Sequence, residues 1–162
     1  MDILVEIEGW PDGDWHTLIA QAHEAVACVE PALANPRLEV SVLLANDESV
    51  HELNREWRGR DKPTNVLSFP MLTRGELLAL EQEGPPDMLG DIALAWETCM
   101  REAAEKGIAL ADHAAHLLVH GFLHLAGHDH VDSDQQAAAM ERLEIEALAK
   151  LGLADPYGDR DN

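Results

Sequence analysis

Cationic side chains are scarce in this chain. Lys and Arg number 11 in 162 residues against 31 Asp and Glu, a formal net charge of −20. That balance argues against a generic nucleic-acid binder, whose surface is broadly basic. Any contact with a phosphate backbone has to come from a local cationic patch inside an acidic shell. Cysteine is nearly absent too. Cys28 and Cys99 make no disulfide framework, and both are expected as buried apolar thiols. No apolar run approaches the ~20 residues that span a bilayer, so no membrane association is expected. The opening MDILVEIEGW carries an early acid and no basic segment, unlike a signal peptide. Together these absences point to a reducing, cytoplasmic location.

What is present suits one globular domain. Hydrophobic residues make up 46% of the chain, enough for a core at this length. We expect a single domain over 1–155 and an acidic C-terminal tail over 156–162. Alternating apolar residues predict strands at 2–8, 38–44, 64–69 and 89–95. Helical spacing predicts helices opened by Asp14, Asn46, Asp112 and Ser133, with another running to Lys106. Gly59, Gly107 and Gly152 are expected to end helices. Val50, Leu53 and Trp57 form the expected apolar face of the second helix. Segment 73–87, rich in Gly and Pro, is expected as a surface insertion, with 76–83 as its helical part. The fold class is α+β, a small mixed sheet of about four strands covered by about five helices.

The densest chemistry lies in His116–His130, HLLVHGFLHLAGHDH. His120, His124 and His130 have the spacing H-x3-H-x5-H. Histidines four apart on a helix point the same way, so both imidazoles can reach one metal ion. Gly127 stands where the helix must stop for the chain to return and deliver His130. Three imidazoles with an open position suit catalytic zinc. The offsets match the ligand skeleton of the zincin motif, but Gly121 stands where those peptidases carry the glutamate that serves as general base. A metallopeptidase is therefore disfavoured. His116 is expected beside the ligands, while His128 and Asp129 flank the third one. His113 is expected to be exposed near the helix start.

A second constellation supplies the cations that the chain otherwise lacks. Arg55, Arg58, Arg60 and Lys62 fall within eight positions. They read either as a solvated helix end, where the dipole favours cations, or as a phosphate clamp for which the planar guanidinium fork is suited.

With both stretches in view, the chain resembles the bacterial YbeY family, rRNA maturation factors described as metal-dependent endoribonucleases. The likeness rests on HGFLHLAGHDH (120–130), RGRDKPTNVLSFP (58–70) and LGDIALA (89–95). It implies a small sheet covered by helices, with the metal in a cleft at the C-terminal end of a buried helix. It implies one zinc ion per chain on His120, His124 and His130, and a functional arginine at Arg58. It further implies cleavage of single-stranded RNA, with roles in maturing the 3′ end of small-subunit rRNA and in ribosome quality control. The expected partners are single-stranded rRNA and the small ribosomal subunit with its proteins, and not DNA. Two positions depart from the family: His128 stands where relatives often carry tyrosine, and 73–87 follows no recognisable pattern. The alternatives are a metallopeptidase-like hydrolase and a non-catalytic ribosome-assembly factor with structural zinc.

Overall fold

The computed structural model describes residues 1–128 and 133–157. Its elements run β1 (Asp2–Ile7), α1 (Trp15–Val29), β2 (Leu38–Ala45), α2 (Asp47–Arg58), β3 (Val66–Pro70), α3 (Arg74–Ala79), β4 (Asp87–Ala95), α4 (Trp96–Lys106), α5 (Leu110–Leu125) and α6 (Asp134–Lys150). A short 3-10 turn at Pro31–Ala34 precedes β2.

The sheet is mixed, in the order β1-β2-β4-β3. β1 and β4 flank β2 in parallel, and β3 closes the edge antiparallel to β4. The two central strands are the most apolar, as strands covered on both faces must be. Val40, Val42, Leu44, Ile92 and Leu94 join α1 and α5 in the main core. Ala45, Leu67, Ala93 and Ala95 meet Val50 of α2 in a smaller cluster. α5 is apolar nearly all round: Leu118, Val119, Phe122, Leu123 and Leu125 are at most 1% exposed. Each such side chain contributes roughly 1.5–3 kcal/mol by leaving water. α5 is therefore a firm base for whatever its remaining stripe carries.

Local signals set several boundaries as expected. Asp14 accepts from Thr17 N, Asn46 from Ser49 N and Ser133 from Gln136 N. Gly59 and Gly107 close α2 and α4. Other expectations need correction. α5 begins before Asp112: the Ala109 carbonyl already accepts from His113 N, which leaves Asp112 in the first turn, where the helix dipole favours an acid. The helical part expected at 76–83 is α3, placed instead at Arg74–Ala79 because a capping box of Thr73 and Glu76 starts it, and it makes six α-helices among the described residues. Trp57 is 71% exposed: the last turn of α2, residues 55–58, is exposed throughout, and the side chain that meets the sheet there is Arg58, over Phe69. Cys28 is exposed, two residues past buried Val26 and on the far side of α1. Cys99 is buried as expected, and burial pushes its thiol up to about 12, with Glu102 and Asp47 adding to the effect. Among the described residues, no helix is long and apolar enough to cross a membrane.

Candidate metal and phosphate cleft

α5 presents His120 and His124 on its one polar stripe, with ring centroids 4.6 Å apart. Both line a cleft of about 330 Å³ whose opposite wall is the stretch 54–68: Asn54, Arg58, Arg60, Lys62, Thr64 and Asn65. A second hollow of about 440 Å³ shares Arg58, Ser68 and His124 with the first and continues past Phe69 to Gly127 and His128. The two motifs of the sequence, some sixty residues apart, are thus walls of one groove. Arg55 stands apart from them and pairs with Glu52, 3.9 Å away on its own helix.

Arg58 ends α2 and is exposed, yet it is pinned. Its guanidinium donates to the Ser68 carbonyl, and its Cζ lies 5.4 Å from the centre of the Phe69 ring. A cation over an aromatic face gains roughly 0.5–1 kcal/mol at an exposed site. Asn54, buried one turn earlier, donates to the Lys62 carbonyl at 2.9 Å, and its own carbonyl accepts from Arg60 N at 3.1 Å. These bonds fold residues 59–62 back along the cleft, so Arg60 and Lys62 face it.

Glu144 of α6 sits behind the histidines and is 1% exposed. His120 Nδ1 donates to one carboxylate oxygen, and the Tyr157 hydroxyl donates to the other. His116 Nε2 lies 3.4 Å from that second oxygen and 3.3 Å from the Tyr157 hydroxyl. Burial alone would raise the Glu144 carboxyl. Hydrogen bonds from His116, His120 and Tyr157 outweigh it and hold the group down at about 2. Tyr157 lies at the start of the expected tail 156–162, of which residues 158–162 fall outside the described residues.

His113 corrects the sequence reading, since it is 1% exposed rather than open to solvent. Its Nε2 donates to Glu102 at 2.9 Å, and Asn65 donates to the same oxygen at 2.9 Å. That chain ties α5 through α4 to the cleft wall. Nδ1 of His113 is buried without a hydrogen-bond partner. A proton there would have no acceptor, so burial keeps the imidazole neutral and its pKa lowered. Lys106 and His116 push the same way, against the pull of Glu102.

The turn after α5 is fastened by segments that carried no signal. Glu30, 7% exposed at the end of α1, accepts from His128 Nε2 at 3.0 Å and pairs with Arg74 at 3.0 Å. Arg74 also donates to the Ala126 carbonyl at 2.7 Å. Gly127 takes φ +95, and a Cβ there would lie 2.7 Å from the Arg74 side chain. The position requires glycine on both counts. The 73–87 excursion therefore serves the site by supplying Arg74.

Gly121 has an equally local reason. A Cβ on it would meet Ile92 of β4 at 3.1–3.4 Å. The position that holds a catalytic glutamate in zincins is here the contact between α5 and the sheet.

The donor set suits a metal ion on two counts. His120 and His124 stack one turn apart, and a buried carboxylate engages Nδ1 of His120, the partner that metal-ligating histidines commonly have. Among the described residues no three His, Cys, Asp or Glu side chains form a metal-holding group. The expected third ligand, His130, and Asp129 lie outside the described residues. Of the residues that matter here, Glu144, Tyr157, Glu30 and Arg74 escaped sequence reasoning. Only Glu144 left a trace, an acid within the apolar repeat of its helix.

Comparison with known proteins gives a consistent answer. A family model described as Endoribonuclease YbeY matches residues 8–152. A protein of Erythrobacter litoralis named Endoribonuclease YbeY is 71% identical over 160 residues, covering 99% of each chain. A protein of the same name from Novosphingobium aromaticivorans is 56% identical, covering 94% of this chain and 92% of its own. The fold is shared with a Thermotoga maritima protein solved in solution, with a TM-score of 0.59 at 24% identity, covering 98% of this chain and 92% of that one. By family match and by identity, the chain belongs to the YbeY family of endoribonucleases.

Proposed function

We propose that the protein is a zinc-dependent endoribonuclease that cuts single-stranded RNA in the groove between α5 and the 54–68 wall. One observation carries this reading. In a chain of net charge −20, three cations line the same cleft as the paired histidines. His120 and His124, with His130, would hold the zinc ion. Zinc held there would supply Lewis acidity, stabilising charge on a phosphoryl oxygen and making water acidic near neutral pH.

The other roles belong to the chain's own residues. Arg58 binds the scissile phosphate and offsets charge that develops on it. Its anchoring to Ser68 and Phe69 means that little rotamer freedom is lost on binding. Arg60 and Lys62 bind flanking phosphates. The acidic remainder of the surface repels nucleic acid, which confines RNA to the groove. The family resemblance extends the proposal to maturation of the small-subunit rRNA 3′ end, to ribosome quality control, and to the cytoplasmic small subunit and its proteins as partners.

The test is incubation of the purified full chain with single-stranded RNA and with a peptide substrate, with and without a chelator. RNA cleavage is expected, to be lost with chelator and in H124A, and to fall about 10²–10³-fold in R58A. The peptide should stay intact. RNA cleavage that persists unchanged in both variants identifies a contaminating nuclease and overturns the proposal. Zinc that holds the fold without any turnover favours an assembly factor instead.

A further inference from the structure

We infer that Glu144 is the positioning residue of the metal site: its buried carboxylate takes the Nδ1–H of His120 and so presents Nε2 of that ring to the metal. The inference rests on His120 being a ligand, as proposed above.

Three observations support it. Glu144 is almost fully buried between α5 and α6, where a lone carboxylate would be strongly disfavoured, yet both its oxygens are engaged. A carboxylate can only accept, so the proton of this contact has to sit on Nδ1 of His120. A neutral imidazole carries one N–H, which fixes Nε2 as its lone-pair nitrogen. Finally, His116 of α5 and Tyr157, after α6, converge on the second oxygen and hold the carboxylate plane, so the ring orientation of His120 is set from both sides of Glu144. The purpose of His116, one turn before the ligand pair, is thereby explained. It faces the carboxylate that orients its neighbour.

The inference is separable from the function. In the metal-free full chain, nitrogen NMR of labelled histidine should show His120 as the Nδ1–H tautomer. Finding it as the Nε2–H tautomer in the wild-type protein overturns the inference, whatever any variant does. Zinc affinity, read by competition with a chromophoric chelator, should be about 10–100-fold weaker in E144Q than in wild type. Cobalt bound in place of zinc should show an altered visible spectrum in E144Q. Wild-type zinc affinity in a folded E144Q refutes the positioning role. Equal affinity in wild type and H124A overturns the metal reading itself, independently of the tautomer, which reports on Glu144 alone.

Discussion

Gly121→Ala is the sharpest test of how α5 is seated on the sheet. The added methyl would lie 3.1 Å from Ile92 Cδ1 and 3.2 Å from its Cγ2, closer than carbon atoms pack at rest. Two effects oppose each other. Ala in place of Gly in a helix interior stabilises by about 1 kcal/mol. Overpacking a tight core contact costs about 1–3 kcal/mol. The net expectation is a loss of about 0–2 kcal/mol, or roughly 2–4 °C in melting temperature for each kcal/mol lost at this chain length. The single variant is thus less telling than its coupling. Ile92→Val removes Cδ1 and alone costs about 0.5–1.5 kcal/mol. In the G121A background the same change removes the closest clash, so it should cost less or stabilise. The assay is a double-mutant cycle of denaturant unfolding on the four proteins. Additivity within about 0.5 kcal/mol, with G121A gaining the full helical benefit, refutes the seating argument.

Further outcomes are expected. His113 has a lowered pKa in the fold, so the stability tied to its neutral form is complete above about pH 6.5 and is lost as pH falls below that value. H113Q, which keeps a donor for Glu102 but does not titrate, should flatten the acid side of a melting-temperature profile. An unchanged profile contradicts the buried neutral imidazole. Arg74→Ala removes one of the two partners of buried Glu30 and the donor to the Ala126 carbonyl, and should cost about 1.5–3 kcal/mol in unfolding free energy, with weaker zinc binding. Zinc binding equal to wild type would detach α3 from the site. If Arg58, Arg60 and Lys62 each meet a phosphate, the logarithm of RNA affinity should fall with the logarithm of salt at a slope of about −2. R60A should reduce that slope by about 0.7, and an unchanged slope places Arg60 off the RNA.

Much of the fold was legible because its signals are local. Asp14, Asn46 and Gly59 set helix ends through contacts within a few residues, and the strand expected at 89–95 lies within β4. The histidine pair and the cationic run were legible for the same reason, since helical spacing alone places His120 under His124. What the sequence hid is what depends on distant partners. His113 looked like a polar residue near a helix start, but α4 brings Glu102 over it. Glu144 lies 24 positions from His120, and Glu30 lies 98 from His128. No periodicity connects such pairs. Trp57 failed in the opposite sense: it keeps the helical spacing of Val50, but on the last turn of α2 it is Arg58, not Trp57, that meets β3.

The seat of Glu144 and Tyr157 also bears on timing. A chain is made from its N-terminus, and domains fold as units as they emerge. The groove wall at 54–68 and the pair His120 and His124 of α5 are synthesised before α6. Until α6 docks, the Glu144 carboxylate is not yet behind His120, so the nascent chain has its cationic wall before the carboxylate inferred to orient the proposed metal site. A nuclease built in this order is armed last, once the segment bearing Tyr157 has left the ribosome that made it.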